Sequence, residues 1–379
     1  MARRRGNKEG SIYKRKDGNW CTQVSLDGRR LTKYFKTHRD AVAWMKEIQD
    51  QISLGLTFEG AKLSLADHLN RWLPSVKSSL RLKTWQQYEQ ICGDHIIPTL
   101  GKIKINELRP DQIQTLYTVK IDAGVSPTTV RMIHAVLHRA LNQALKWGII
   151  GRNPSDAVDR PKPSRKEMQT LSDYQARQLL IASQGSPYET LYYLALSTGL
   201  RQGELLGLKW SDLDWSNGHL RIQRQMQRVT GEGLLLLEPK TAGSRRVVTL
   251  GPAILEKLRA HRQNQDLHRA FTGDKWQEQD MIFTSSIGSP VDQRNLHRDF
   301  KLILDKAGLP NIRFHDLRHT AATLMLQEGI HPKIVQERLG HSQISITLDT
   351  YSHVLPAMQE TAAAKMDEVL NLIEVEILE

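Results

Sequence analysis

Residues 10–50 alternate apolar and polar positions in the way that short β-strands do. Along residues 20–26, every second side chain is of a type that buries well, which predicts a strand with one covered face. An Asp-Gly pair on either side supplies turn residues, so strands are predicted at residues 11–15, 20–26 and 29–35. Thr37 then opens a capping box and a helix with an apolar stripe. The pattern predicts a three-stranded sheet with one face on a helix and one polar, basic face free.

Residues 64–160 have the period of amphipathic helices throughout. Four helices are predicted, with Ser64 and Thr84 as caps of the first two and Pro110 and Pro127 in the first turns of the others. The longest helix should run to about residue 147. Its predicted apolar side consists of Val130, Ile133, Val136, Leu137, Leu141 and Leu145.

The remainder of the chain mixes helices with one β region. Helical period covers residues 172–185, 187–198 and most of the chain after Gly251. Three strands are predicted between them, at residues 219–229, 234–238 and 245–250. A terminal amphipathic helix is predicted over residues 358–378, and its apolar stripe fits either a protein–protein contact or packing on its own domain.

Two linkers divide this pattern. Residues 56–63 lack strong periodicity, and residues 153–163 are rich in proline and charge. We therefore predict three domains, at residues 1–62, 63–163 and 164–379. The predicted fold class is multidomain and mainly α: a small β-sheet with a helix, an all-helical domain, and a mixed α+β domain with a small antiparallel sheet.

Charge separates the predicted domains further. The chain of 379 residues has a net charge of +12, with 14 lysines and arginines against 7 acidic residues in residues 1–62 and 14 against 8 in residues 63–163. The remaining residues are close to neutral. This asymmetry favours a polyanion such as DNA as the partner of the N-terminal half, although an ordinary solvated basic surface would look the same. Candidate DNA contacts, chosen by position, are Gln23, Ser25, Arg29 and Lys33 on the sheet and Arg131 and Arg139 on the long helix.

Composition excludes several other classes. The chain has two cysteines, too few for a disulfide framework, and this number fits a reducing compartment. It has no apolar run near the ~18 residues that a membrane helix needs. No apolar segment follows the arginines near Met1, so we expect no secretory signal.

Chemistry is concentrated in four short polar clusters of the third domain. Arg201 precedes Glu204, and His315, Arg318 and His319 share one helical stretch. The other two clusters hold His341 and, ten residues further on, Tyr351 with its neighbours; Lys240 lies in a predicted hairpin loop. Arginines keep their charge and bind phosphate oxygens in pairs of hydrogen bonds, so the set suits a phosphodiester displacement.

The order and local sequence of these clusters resemble the tyrosine recombinases, also called the phage integrase family. The run from Thr198 to Glu204, the His315–His319 stretch, the Leu-Gly-His that ends at His341, and Tyr351 match the family's motifs. Residues 63–163 resemble its SAM-like, core-type DNA-binding domain, and residues 1–62 an AP2-like domain that binds arm-type DNA sites.

The resemblance implies a role for each residue. Tyr351 would attack the scissile phosphate and form a 3′-phosphotyrosine, with His315 as proton acceptor. Lys240 would protonate the leaving 5′-oxygen, although Arg245 and Arg246 follow closely and leave that loop position open. The remaining members of the implied catalytic set are Arg201, Arg318 and His341, which would hold the phosphate, and Glu204 and His319, which would support them.

The resemblance also implies partners. The chain would integrate and excise a mobile element by joining double-stranded DNA at core and arm attachment sites, as a homotetramer and through a Holliday junction. It would need no metal, ATP or other cofactor and would work with an excisionase and a host DNA-bending protein. We expect it in the cytoplasm of a prokaryotic host, associated with the nucleoid.

Two other functions fit parts of the sequence. His315 and His319 are four residues apart, as zinc ligands can be, with His341 as a third ligand, which is the pattern of a metal-dependent hydrolase; the glutamate of the usual zinc-protease motif is absent. A DNA-binding protein without catalysis would explain the charge but not the combination of Arg201, Arg318 and Tyr351.

Overall fold

A computed structural model describes residues 10–26, 29–53, 62–162, 169–239, 245–350, 363–368 and 370. The chain forms two compact units, residues 1–165 and residues 166–379. The first unit contains two separate apolar clusters, one in the sheet module and one among the helices. The predicted domain boundaries at residues 62 and 163 remain predictions.

The N-terminal module is the predicted sheet with one covering helix. Strands β1 (Ser11–Lys14), β2 (Trp20–Leu26) and β3 (Arg29–Phe35) pair antiparallel in that order, and α1 (His38–Ser53) follows. The Thr37 hydroxyl accepts the Asp40 backbone N–H at 3.2 Å, as the capping box requires. Apolar side chains of β2, β3 and α1 meet on one face of the sheet. They are Val24, Leu26, Leu31, Met45 and Ile48.

The rest of the first unit is helical, as predicted. Its main helices are α2 (Leu65–Lys77), α3 (Leu82–Ile91), α4 (Ile97–Leu100), α5 (Pro110–Asp122) and α6 (Pro127–Lys146), with a π-helical turn at Cys92–Ile96 and 3-10 turns at Ile105–Glu107 and Pro154–Ala157. Ser64 caps α2 as predicted, and its hydroxyl accepts the Asp67 N–H. Thr84 was the wrong cap, because α3 already begins at Leu82 with Arg81 before it.

The core of these helices forms around Trp72 and α6. Trp72 is fully buried and stacks on Tyr88 with 5.9 Å between ring centroids. The predicted apolar side of α6 is buried from Val130 to Leu141, but Leu145 is 37% exposed because it belongs to the last turn.

The second unit begins with three helices and a β region. Its elements are α7 (Asp173–Ala182), α8 (Glu189–Thr198), α9 (Gln202–Leu206), β4 (Leu213–Asp214), β5 (His219–Ile222), β6 (Gln225–Val229), β7 (Gly233–Leu237), β8 (Arg246–Thr249), α10 (Pro252–Thr272), α11 (Gln293–Lys306), α12 (Asp316–Gln327), α13 (Pro332–Leu339) and α14 (Ile344–Thr350), with 3-10 turns at Trp210–Asp212 and Gly273–Lys275. Strand β5 lies between β4 and β8, whereas β6 and β7 form a separate hairpin.

The single strand predicted at residues 219–229 is wrong: the chain leaves the first sheet after Ile222. Arg224 turns back to pair with the buried Asp212 at 2.5 Å, and β6 starts a new sheet at Gln225. The predicted terminal helix at 358–378 falls largely outside the described residues, of which 363–368 are helical.

Candidate active site

Arg201 lies at a sharp turn between two helices. Helix α8 ends at Gly199 in the left-handed conformation with φ of 65°, and a Cβ there would collide with Leu339. Arg201 then precedes α9, and its backbone N–H donates to Glu204 at 3.0 Å. The turn therefore fixes both the backbone and the direction of Arg201.

Glu204 is a buried carboxylate, 2% exposed, that binds two arginines. Arg201 Nη1 donates to its Oε1 at 2.9 Å, and Arg246 Nη2 donates to its Oε2 at 2.9 Å. Burial alone would raise the pKa of Glu204, but the hydrogen bonds and charges of the arginines hold it below its usual value. The Arg201 side chain is 37% exposed, so its guanidinium is held by Glu204 and is still accessible to a ligand.

Arg318 reaches the same turn from α12. Its side chain is buried, and Nη1 donates to the Gly199 carbonyl at 2.8 Å. The start of α12 is secured by Asp316, which accepts two hydrogen bonds from the Arg313 side chain and one from its backbone. Arg318 is thereby placed one residue away from the Leu200–Arg201 peptide.

His315 and His319 lie at the same end of α12. Their rings meet edge to face with 5.3 Å between centroids. Desolvation, together with the charges of His319 and Arg318, lowers the pKa of His315 to about 4, although His315 is an exposed residue by its surface area. Desolvation also lowers the pKa of His319. Both imidazoles are therefore neutral at pH 7 and can accept a proton.

His341 follows α13 and the left-handed residue Gly340. Its Nδ1 lies 2.8 Å from the hydroxyl of the buried Thr347, and its carbonyl accepts the Gln336 side-chain amide at 2.6 Å. Arg201 Nη2 donates to the Gly340 carbonyl at 3.4 Å, which links this loop to the first cluster. Desolvation and the charges of Arg318 and Arg201 lower the pKa of His341 to about 4.

The structure thus brings together five of the predicted site residues with Glu204 behind them. These residues are Arg201, His315, Arg318, His319 and His341. Hydrogen bonds link Arg201 to the residue before His341 and Arg318 to the turn before Arg201, and His315 and His319 lie beside Arg318 at the start of α12. Two fixed guanidinium groups next to neutral imidazoles form a cationic site with proton acceptors, which suits a phosphate. Lys240 and Tyr351 lie outside the described residues, so their predicted roles stay predictions.

Arg246 and Arg338 also support the site, although the sequence motifs do not indicate it. In the sequence, Arg246 is only an alternative to Lys240, whereas in the structure its side chain is 7% exposed and binds Glu204 from inside the unit. Arg338 donates to the carbonyls of Thr249 and Ser197 at 3.1 and 3.0 Å. Their signal in the sequence is weak, since an arginine in a strand or at a helix end is usually exposed.

The register of the sheet module corrects one group of candidate DNA contacts. Gln23 and Ser25 are on the face away from α1, opposite Thr32 and Arg30. Lys33 is opposite the buried Thr22 and bonds to Glu107 at 2.8 Å, so its predicted place on the free face is wrong.

Other basic and polar side chains occupy the free face of the sheet, where Lys33 was expected. Arg29 pairs with Leu26 through the backbone, and its side chain is outside the described set. The free face instead carries the exposed Arg30, Thr32 and Tyr34, with the Arg15 guanidinium 4.8 Å from the Tyr34 ring. On α6, the predicted candidates Arg131 and Arg139 are exposed.

Comparison with known proteins decides the family. A model described as the phage integrase family matches residues 164–358, and one described as the phage integrase N-terminal SAM-like domain matches residues 64–120. The chain belongs to the phage integrase family. This tyrosine recombinase is 33% identical over 364 residues to a "Tyrosine recombinase XerC-like" protein of Caldanaerobacter subterraneus subsp. tengcongensis, covering 90% of this chain and 93% of the relative. The resemblance stated from the motifs is confirmed, and the chain is a tyrosine-type site-specific recombinase.

Further relatives and solved structures agree. The ICEBs1 integrase of Bacillus subtilis is 25% identical, with 95% of the recombinase and 100% of the relative covered. A Tn1549 transposon integrase in complex with transposon right end DNA has a TM-score of 0.70 at 23% identity, covering 81% of the recombinase and all of that chain. A lambda integrase tetramer bound to a Holliday junction has a TM-score of 0.57 at 22% identity, with 88% and 95% covered. These structures confirm the predicted multidomain, mainly α fold with small sheets.

The zinc-hydrolase alternative finds no support in the arrangement of side chains. In the part of the recombinase that the structure describes, no three His, Cys, Asp or Glu side chains are grouped to hold a metal ion.

None of the helices described there is long and apolar enough to cross a membrane.

Proposed function

We propose that this recombinase cleaves and rejoins DNA through Tyr351, at the cationic site built from Arg201, Arg318 and His341. The observation that carries the proposal is that the two arginines connect the site's segments: Arg318 binds the Gly199 carbonyl in the turn before Arg201, and Arg201 binds the Gly340 carbonyl next to His341. A phosphodiester seated there would find fixed positive charge without any reorganisation of the protein.

The proposed reaction conserves the energy of the phosphodiester bond. The Tyr351 oxygen forms a bond to phosphorus as the bond from phosphorus to the 5′-oxygen breaks, giving a 3′-phosphotyrosine and a free 5′-hydroxyl. The tyrosine proton goes to His315, and Lys240 supplies the proton of the leaving oxygen. Attack by the 5′-hydroxyl of another strand reverses these steps and releases the tyrosine.

The neutral state of the histidines fits this sequence of proton transfers. The positive charge of the arginines contributes to the low pKa of His315 and His341 in the free protein. A bound phosphate brings negative charge next to these imidazoles and raises their affinity for a proton. His315 is therefore a better base in the DNA complex than in the free protein.

The basic N-terminal half supplies the proposed DNA-binding surfaces. Residues 63–163 would hold the core site, with Arg131 and Arg139 on phosphates. The free face of the N-terminal sheet would read an arm site in a major groove, through Gln23, Ser25 and the exposed Arg30. Two DNA-binding modules on one chain would raise the effective concentration of each site for the other.

The proposed assembly is a homotetramer that exchanges strands in pairs through a Holliday junction. The structurally similar lambda integrase, which forms a tetramer on a Holliday junction, supports this assembly by analogy. We further propose that the recombinase moves a mobile element in a prokaryotic host, at its nucleoid, with an excisionase and a DNA-bending protein as partners, since relatives include phage and transposon integrases.

The test is relaxation of a supercoiled plasmid that carries a core site recovered by selection of bound sequences. Reactions contain EDTA and are stopped with SDS, and the wild type is compared with Tyr351→Phe. We expect relaxation and protein-linked DNA from the wild type only, with equal DNA binding by both. Relaxation by both proteins would remove Tyr351 from its role, and dependence on a metal would favour the hydrolase.

A further inference from the structure

Arg246 is a buried cation that the proposed reaction does not use. It lies at the start of β8, six residues after Lys240 in the sequence, and its side chain is 7% exposed. Two of its nitrogens donate to Glu204, Nη2 to Oε2 at 2.9 Å and Nη1 to Oε1 at 3.3 Å. The third, Nε, donates to the Arg338 carbonyl at 2.7 Å. All three groups of the guanidinium are thus directed at named acceptors.

These acceptors belong to the two segments that present the site. Glu204 is the residue that orients Arg201, through its bond to Nη1 and through the Arg201 backbone N–H. Arg338 lies in the last turn of α13, three residues before His341. Arg246 therefore connects Glu204, which holds Arg201, to the end of α13, which precedes His341.

Arg338 continues the bridge on its other side. Its guanidinium donates to the Thr249 carbonyl at the end of β8 and to the Ser197 carbonyl near the end of α8. Burial lowers the pKa of Arg338, whose side chain is partly enclosed by the unit. Both ends of strand β8 thus bond to Arg338 in the last turn of α13: Arg246 donates to its carbonyl, and the Thr249 carbonyl accepts from its guanidinium.

Gly340 shows how closely Arg246 fits this loop. A Cβ at Gly340 would lie 2.9 Å from Arg246 Nη1, and φ there is 71°. The Gly340 carbonyl in turn accepts Arg201 Nη2 at 3.4 Å. Because Gly340 has no Cβ, the Arg246 guanidinium can pack against it, while its carbonyl accepts the hydrogen bond from Arg201.

We propose that Arg246 is a positioning residue that sets the guanidinium of Arg201, through Glu204, and the loop of His341, through Arg338. The inference rests on the proposed role of Arg201 as a ligand of the scissile phosphate. Lysine cannot replace Arg246, because one ammonium group lacks the planar fork that reaches two carboxylate oxygens and a carbonyl together.

The test compares Arg246→Lys and Arg246→Met with Arg245→Met, a matched control. Arg245 is the neighbouring residue, but its side chain is 57% exposed and pairs only with the exposed Glu238 among the contacts described. The substrate is a duplex with the selected core site, and DNA affinity and single-turnover cleavage are measured separately. We expect about a 100-fold loss of cleavage rate in both Arg246 variants, the scale of a small misplacement of a catalytic group, with little change in affinity.

A second substrate separates positioning from general damage to the fold. In it, the scissile phosphate is replaced by a neutral methylphosphonate, which has no charge for Arg201 to neutralise. Arg201→Ala is measured beside the Arg246 variants on both substrates. We expect the methylphosphonate to restore most of the lost rate to Arg201→Ala and to both Arg246 variants.

The outcomes distinguish this inference from the proposed function. Recovery of Arg201→Ala without recovery of Arg246→Lys or Arg246→Met would overturn the positioning role and leave the role of Arg201 intact. Failure of all three to recover would overturn the role of Arg201 and the inference with it. Normal cleavage by Arg246→Lys would also contradict the inference, even if Arg246→Met were too unstable to measure.

Discussion

The helical part of the N-terminal unit and the catalytic unit both bury polar side chains, but of different kinds. Within residues 62–162, the buried polar side chains are His68, His134, Asn153 and Ser155. In the described part of the catalytic unit, buried side chains include the charged Glu204, Asp212, Asp316 and Arg318. One region is held by an apolar core with neutral hydrogen bonds, and the other has ion pairs within its core.

The neutral network of the helical part connects α6 to the segment after it. Tyr117 of α5 and His134 of α6 share a hydrogen bond of 2.9 Å, and Asn153, in the segment after α6, donates its side-chain amide to the Asn142 side chain at 2.9 Å. Such groups hold the helices in one arrangement at little electrostatic cost, since none of them carries a full charge.

The ion pairs of the catalytic unit serve a different purpose. A buried ion pair often stabilises a protein no better than apolar residues of the same size would. The proposed role of Arg201 gives a reason for the ion pair beside it, since a phosphate needs cations that are already fixed and partly desolvated. On that proposal, the binding chemistry of the catalytic unit limits how its core is built, whereas the helical part is free to optimise packing.

The largest effect should come from neutralising the central carboxylate, in Glu204→Gln. The amide keeps the shape but leaves Arg246 buried without its counter-charge, so we expect a loss of about 3 to 5 kcal/mol in the free energy of unfolding. Cleavage should be nearly abolished. Urea unfolding measures the first effect, with Glu256→Gln on the exposed face of α10 as the control. If the free energy of unfolding changed as little as in the control, the buried Arg246 would not depend on the charge of Glu204.

Leu137→Ala should damage the helical part in a way that leaves the chemistry intact. Leu137 is fully buried in α6, and its truncation should lower the free energy of unfolding by about 4 kcal/mol through lost burial and a cavity. Single-turnover cleavage at saturating DNA and low temperature should stay normal. A slower chemical step in this variant would show that the two regions are not separable in this way.

A smaller effect should come from His134, whose protonation makes the free energy of unfolding depend on pH. Burial and the charges of Arg160 and His138 lower its pKa to about 4, while Asp156 opposes the shift. The unfolded chain therefore binds a proton near pH 6.5 that the folded one does not, and His134 should reduce stability by at most about 3 kcal/mol as pH falls from 6.5 towards 4. His134→Phe should flatten this part of the stability curve. An unchanged slope would mean that His134 is not held neutral.

The smallest effect should be that of Arg131→Ala on α6. Arg131 is exposed, so the free energy of unfolding should hardly change. If it binds one phosphate, its loss should reduce the slope of log affinity against log salt by about 0.9 and weaken all sequences alike. Fluorescence anisotropy over a salt series measures this slope. An unchanged slope would remove Arg131 from the DNA surface.

Much of this division could be predicted from the sequence. Periodicity identified α2 with its Ser64 cap, α6 and the sheet module, because local signals and burial agree there. The catalytic motifs predicted that Arg201, Arg318 and His341 belong to one site, which the structure brings together through Gly199 and Gly340.

The rest depends on contacts between distant segments. The end of β5 is set by Arg224 bonding to Asp212, which no local pattern shows. The face of Lys33 is fixed by the strand register, and a predicted register that is shifted by one residue reverses every side chain. Arg246 could not be distinguished from Arg245 in the sequence, because only the fold places one on Glu204 and the other at the surface.

The proposed role of Tyr351 as the nucleophile is most directly tested by identifying the residue that becomes attached to DNA. A core-site duplex with a nick next to the scissile phosphate traps the covalent intermediate, because the short cleaved strand diffuses away. The trapped complex is digested with a protease, and the DNA-linked peptide is identified by mass spectrometry. We expect a single peptide with the 3′-phosphate on Tyr351. Attachment through any other residue, or cleavage without a covalent product, would contradict the proposed role.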